Sequence, residues 1–176
     1  MSGPRAPHGS SHGPFEPLAF ALLTVSDTRT SADDVSGGLM RRLVSEAGHG
    51  VVAAAIVRDE TSAVREQVLT WAVDPACDVI LSSGGTGLSA RDRTVEAVSD
   101  LFDVRIEGFG ELFRLLSFET IGSRAMLSRA AAGLVRGTPV FLLPGSPNAV
   151  TLALTRLVLP EIAHVVQDLR RHGPRG

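Results

Sequence analysis

The feature that most limits how this chain can fold is a repeated change of period: short continuous apolar runs stop at polar or glycine-rich clusters and give way to helical patterns. Residues 18–26 (LAFALLTVS) form the first run, as expected of a strand covered on both faces. Leu39, Leu43 and Val44 then fall on one stripe of a helix predicted over residues 34–47, with Gly48 as its stop. A second strand follows at 51–57, then a helix capped by Thr61 or Ser62 that carries Val64, Val68 and Trp71, with Pro75 closing the region. Residues 78–82 (DVILS) make a third strand that runs straight into Gly84-Gly85-Thr86-Gly87. Beyond it, 92–101 and 108–118 read as helices, the second with Phe109, Leu112, Phe113 and Leu116 packed inward or against a partner copy. Residues 140–143 read as a short strand, and 148–157 and 160–170 as the final helices. Strands joined by helical crossovers predict an α/β fold, a three-layer α/β/α sandwich with a mainly parallel sheet, built as one domain over 18–170.

Composition narrows the function classes. The chain has 176 residues, with 17 basic against 19 acidic side chains, so it lacks the general phosphate attraction of a protein that coats nucleic acid. Residues 1–17 are dense in Gly, Pro, Ser and His and read as a disordered tail; 171–176 read as a frayed end. Neither a secretory signal nor an apolar run of about 18 residues is found, and the expected location is the cytoplasm. The one cysteine, Cys77, reads as a small apolar residue entering a strand. Every basic side chain is Arg, with no Lys anywhere, which excludes a Walker P-loop, a kinase strand lysine and a pyridoxal Schiff base. No HExxH or paired spacing joins the histidines, so His-based catalysis and transition-metal binding have no support.

In a parallel sheet the ligand sits outside the carboxyl ends of the strands, where Ser26-Asp27, Arg58-Asp59, Gly84 to Gly87 and Pro144 to Pro147 all fall. The glycine run is either a tight turn needing positive φ or a loop whose bare N–H groups approach an anion. Gly85, Gly87 and Ala90 also match G-x-G-x-x-A, a weak dinucleotide signal on the wrong strand. Asp59 and Asp92 read as helix caps or as two carboxylates on one rim able to hold Mg²⁺ beside substrate phosphates. Pro147 suits a first helical position with Ser146 as N-cap, and Ser26 and Asp27 either cap a helix or bind a ligand. Arg91, Arg114 and Arg124 are phosphate partners or ordinary ion pairs.

The ordered set LLTVSDTR, IVRDE, ILSSGGTGLSARD, IEGFGELFRLLSFETIGSRAMLSRA and LPGSPNAV resembles the MoaB/Mog family of molybdenum cofactor biosynthesis proteins over nearly all of residues 18–169, and its fourth element is closer to the MoaB type. The resemblance implies an α/β/α molybdopterin-binding domain, a homotrimer or dimer of trimers, that adenylylates molybdopterin with Mg-ATP and releases pyrophosphate. By position, Asp59 and Asp92 match the family's two catalytic acidic residues and its Mg²⁺ site. Gly84, Gly85, Thr86 and Gly87 match its nucleotide loop, and Pro144, Gly145, Ser146 and Pro147 its second nucleotide-side turn. Ser117 and Arg124 fall in segments associated with the pterin and its phosphate. Asn148 stands where many active relatives have Lys, and Arg93-Thr94-Val95 replaces V-T-P after the second acid. The resemblance also allows a non-catalytic molybdopterin carrier of the same fold, and transient contact with molybdopterin synthase or the metal insertase.

Overall fold

Strand β1 (Ala19–Val25) lies inside the sheet, hydrogen-bonded in parallel to β2 (Gly50–Val57) on one side and to β3 (Val79–Ser83) on the other. Its side chains alternate between two helical layers, which explains why the run is continuously apolar from Leu18 to Leu23. Phe20 and Leu22 join Met40 and Val44 of α1 (Val35–Glu46), Phe109 and Phe113 of α4 (Glu107–Ile121), and Val150 of α5 (Pro147–Ala153). Ala21 and Leu23 face the other way, onto Val64, Val68 and Trp71 of α2 (Thr61–Ala72) and Ala97 and Val98 of α3 (Thr94–Ser99). The computed structural model describes residues 16–173.

The sheet has six strands in the order β2-β1-β3-β6-β5-β4, where β4 is Val104–Arg105, β5 is Ala131–Val135 and β6 is Thr138–Leu143. The first four are parallel; β5 runs antiparallel to both β6 and β4, so the sheet is mixed. The sequence reading lacks β4 and β5. Strand β4 spans two exposed residues, and β5 (AAGLV) opens on two alanines and has Gly133 inside it, where a Cβ would meet Phe102 and the Val104 carbonyl. A two-residue turn, Arg136 (φ 52°) and Gly137 (φ 81°), joins β5 to β6, and both residues have the positive φ that a tight hairpin needs.

Other boundaries also move. Glu60 is the N-cap residue of α2 without a side-chain cap bond, so neither Thr61 nor Ser62 caps it. Helix α3 begins at Thr94 and not at residue 92, because residues 88–93 turn back toward the glycine loop. In α4, Leu112 is 50% exposed, so that side chain leaves the inward set. The two predicted C-terminal helices are one 26-residue run from Pro147 to His172. A π-helical stretch, Leu154–Val158, precedes α6 (Leu159–His172) and widens the turn ahead of Pro160, so the proline does not break the rod. This run is long and apolar enough to cross a membrane, contrary to the expectation of no such segment. Its apolar stripe, however, including Val150, Leu154, Ile162 and Val166, is spent on the core.

At the amino end of the sheet, Asp78 accepts from the Ala19 N–H (2.8 Å) and from Arg170 (2.8 Å), which also pairs with Glu16 (2.9 Å). The helix therefore continues past the predicted frayed boundary at 171, while most of the predicted tail, 1–15, lies outside the described residues. Burial pushes the Cys77 thiol up to about 11, in keeping with an inert core residue.

Candidate functional site

The carboxyl ends of the four parallel strands converge on the glycine loop. Gly84 (φ 102°) passes so close to the Val25 carbonyl that a Cβ there would overlap it, and its N–H donates to the Leu143 carbonyl (3.1 Å). Gly85 (φ 62°) has no room for a side chain either, since a Cβ would overlap Thr94 Oγ1 and lie 2.8 Å from Asp59 Oδ2. A Cβ at Gly87 would stand 2.7 Å from Asp92 Oδ2. The tight-turn reading is satisfied by this geometry: with positive φ at Gly84 and Gly85, bare backbone threads past the side chains of Asp59, Asp92 and Thr94.

The acidic side chains are turned toward this loop and not spent on caps. Asp59 Oδ1 accepts from the Arg93 N–H (3.2 Å), and the Asp59 N–H donates to Asp27 Oδ1 (3.1 Å). Asp92 Oδ2 accepts from the Ser89 N–H (2.9 Å), ahead of α3. Burial holds the Asp59 carboxyl above the ordinary carboxylate range; the Arg93 N–H opposes this, the charges of Asp92 and Asp27 add to it, and the Arg129 charge opposes it. The three carboxylates therefore share one electrostatic neighbourhood. Among the described residues no group of three or more His, Cys, Asp or Glu could hold a metal ion on its own. Mg²⁺ needs less, one or two carboxylates beside water and substrate phosphates, and the oxygen-only donors Asp59 and Asp92 fit that requirement. Nearby, Thr94 Oγ1 is buried without a hydrogen-bond partner.

Behind the loop lies a cavity of about 790 Å³. Thr86 and Gly87 form its floor beside Pro144, Ser146 and Asn148, with Ser117 and Arg124 on the wall made by α4 and the 3₁₀ turn Gly122–Leu127. Its volume falls in the range of small-molecule sites, and its lining combines apolar side chains such as Phe113, Ile121 and Leu152 with the polar groups of Thr120, Asn148 and Arg156. Ser146 caps α5 by accepting from the Ala149 N–H (3.3 Å), with Pro147 in the first turn as predicted. Gly145 packs against Gly84, a Cβ there lying 3.3 Å from the Gly84 Cα, and its carbonyl accepts from Ser36 Oγ (2.7 Å).

The predicted residues thus divide into two groups. Asp59 and Asp92, with Gly85, Gly87 and the Asp27 carboxylate, gather on the acidic face of the loop. Thr86, Gly87, Ser117, Arg124, Pro144, Ser146 and Asn148 line the cavity. Ser26 does neither: its Oγ accepts from the Thr28 (3.3 Å) and Arg29 (3.2 Å) N–H groups and shapes the turn after β1. Arg91 and Arg114 do not line the cavity, whereas Arg156, which the sequence reading passes over, does. Arg129 is also missed. Its guanidinium donates to the carbonyls of Thr86 (3.1 Å) and Asp92 (2.8 Å) and pairs with Glu96. No helix starts at Ala90, which removes the dinucleotide reading of the glycine spacing.

A mixed sheet with a glycine loop beside paired acids and a substrate-sized cavity defines an α/β protein with a small-molecule pocket at the carboxyl ends of its parallel strands. Residues 21–164 match the family described as "Probable molybdopterin binding domain", and the chain belongs to that family. It is 49% identical over 151 residues to molybdenum cofactor biosynthesis protein B of Bacillus subtilis, covering 85% of this chain and 89% of that one. Against the Escherichia coli K12 protein of the same name, identity is 45% over 148 residues, covering 84% and 87%. A crystal structure of molybdenum cofactor biosynthesis protein B superposes with a TM-score of 0.87 at 46% identity, covering 89% of this chain and 98% of that one. The tungsten cofactor synthesizing protein MoaB from Pyrococcus furiosus gives 0.75 at 34%, covering 88% and 98%.

Proposed function

We propose that this protein acts in molybdenum cofactor biosynthesis by binding molybdopterin and transferring an adenylyl group from Mg-ATP to its terminal phosphate, with release of pyrophosphate. The observation that carries this reading is the arrangement of one thin backbone loop between a carboxylate cluster and an apolar cavity. A fused-ring substrate with a phosphate tail suits the cavity, whose charged wall residues are Arg124 and Arg156. A nucleotide suits the other face, where Asp59 and Asp92 would hold the Mg²⁺ that offsets the charge of its phosphates. In the reaction a phosphate oxygen of molybdopterin forms a bond to the α-phosphorus of ATP as the bond to the β-phosphate oxygen breaks, in line, and pyrophosphate leaves. Asp59 and Asp92 would hold Mg²⁺, which supplies charge neutralisation at the phosphates when bound. The chain's own task is to position, and no covalent nucleophile or Lys is required.

The same proposal includes a homotrimer or dimer of trimers in the cytoplasm. Leu115, Phe118 and Met126 are 61%, 60% and 77% exposed on one stretch of α4 and the following turn, an apolar surface suited to self-association. Transient contact with molybdopterin synthase or the metal insertase would deliver and remove the pterin. A second reading, a molybdopterin carrier without turnover, draws on one observation: the cavity includes neither acid, and its Asn148 is neutral.

The deciding experiment incubates the purified protein with molybdopterin and Mg-ATP and follows adenylyl-molybdopterin and pyrophosphate. Asp59→Asn and Asp92→Asn are each expected to lower turnover by about 10³-fold, the scale of losing a preorganised charge, with molybdopterin binding retained. A wild type that binds molybdopterin but forms no adenylate would replace the transferase with the carrier.

A further inference from the structure

Arg129 stands just before β5 and reaches back to the loop on which both faces of the site depend. All three of its guanidinium nitrogens are engaged. Nε donates to the Thr86 carbonyl (3.1 Å), one terminal nitrogen donates to the Asp92 carbonyl (2.8 Å), and the other pairs with the Glu96 carboxylate. These acceptors belong to the glycine loop, to the segment carrying the second acid, and to α3. A guanidinium presents its donors in one rigid plane, so holding two carbonyls at once fixes the distance between them, which a single flexible ammonium cannot do. The side chain is 24% exposed, shielded from water yet open at the rim.

We infer that Arg129 is a positioning residue of this site, a clip that sets the glycine loop against Asp92 so that the cavity floor and the acidic face stay in register. The clip turns the Thr86 carbonyl toward Arg129 and fixes the peptide plane that precedes Gly87, the residue between Asp92 and the cavity. The Arg129 charge also opposes the burial that raises the Asp59 carboxyl. Glu96 holds the guanidinium from its outer side. The role in turnover rests on the adenylyl-transfer reading, whereas the placement of the loop stands on the hydrogen bonds alone.

The test compares wild type with Arg129→Lys and Arg129→Ala by amide hydrogen exchange, thermal melting and turnover with molybdopterin and Mg-ATP. The clip predicts exchange at residues 84–92 faster by about tenfold or more, with amides of β1 and β3 unchanged. It predicts a kcat lower by about 100-fold, as for a misplaced reacting group, with KM for molybdopterin within about threefold of wild type. Guanidinium ion added to Arg129→Ala is expected to restore part of that kcat, and sodium at equal ionic strength to restore none. Wild-type exchange at 84–92 in Arg129→Lys overturns the inference, as does a rise spread evenly over β1 and β3, which would make Arg129 a general stabiliser. If Arg129→Ala unfolds, Arg129→Lys, which keeps the stem and charge, carries the test. A wild type that makes no adenylate overturns the transferase and leaves the exchange result to decide the clip.

Discussion

On one side of residues 84–87 stand Asp27, Asp59 and Asp92; on the other is a wall of Phe113, Ile121, Leu127 and Leu152 in which the charged residues are Arg124 and Arg156. Both sides rest on the same backbone, and at Gly87 the separation is the thickness of the main chain, since a Cβ there would touch Asp92 while the residue itself lines the cavity. The contrast teaches how a small domain sets an acidic rim and a substrate-sized cavity on either side of one backbone loop. At Gly85 and Gly87 the shared loop places no side chain between the two faces. It also makes the two faces separable by substitution, since each is lined by its own residues.

After the losses expected of Asp59→Asn and Asp92→Asn, the largest separation is expected from Gly85→Ala. The new methyl group would meet Asp59 Oδ2 and Thr94 Oγ1 at a position with φ of 62°, so the backbone must shift on the acidic side. Turnover with Mg-ATP should fall by about 100-fold, the scale of displacing a reacting group by a fraction of its contact distance. Molybdopterin binding, followed by its fluorescence change on titration, should remain close to wild type because Gly85 does not line the cavity. Equal losses in both assays would show that the two faces are one site.

The mirror experiment is Arg124→Ala. Arg124 lines the cavity away from the carboxylates and is exposed, so its loss removes one charged donor from a wet rim. Molybdopterin affinity should weaken by about tenfold, the lower end for a hydrogen bond to a charged group, with Mg-ATP binding by calorimetry unchanged. A loss confined to Mg-ATP would reverse the assignment of the faces.

The acidic face was largely readable from sequence, because Asp59 follows a strand end and Asp92 follows a glycine loop, and in a parallel sheet both positions lie on one rim. The rest was hidden for identifiable reasons. Strand β5 is short and begins Ala-Ala-Gly, residues with little preference for a strand, and Arg129 before it looks like any surface arginine until β5 is placed antiparallel beside β6. The C-terminal helices read as two because Pro160 ends a helix by rule, and the π turn that accommodates it has no period of its own. Leu112 fits the inward stripe of α4 by spacing, yet it sits on the exposed apolar surface, where periodicity cannot tell core from interface.

The smallest effect is the one that tests whether the acidic face is built for a cation. Asp59 has a raised carboxyl in the folded protein, mainly through burial and with the Asp92 and Asp27 charges adding, so the folded state holds its proton more tightly than the unfolded chain. Stability then declines as pH rises from the unfolded carboxylate range through the raised folded value, and at pH 7 the ionised group opposes folding. Asp59→Asn keeps an oxygen for the Arg93 N–H and removes the charge. The variant should therefore melt slightly above wild type at pH 7, with the gap closing as pH falls below the carboxylate range. Added Mg²⁺ should raise the wild-type Tm and leave the variant unmoved, because binding to the folded state alone is what offsets the strain of paired acids. A variant less stable than wild type at pH 7, or a gap indifferent to both pH and Mg²⁺, would mean that the Asp59 carboxylate serves the loop as a hydrogen-bond acceptor and that the contrast between the two faces is not one of charge.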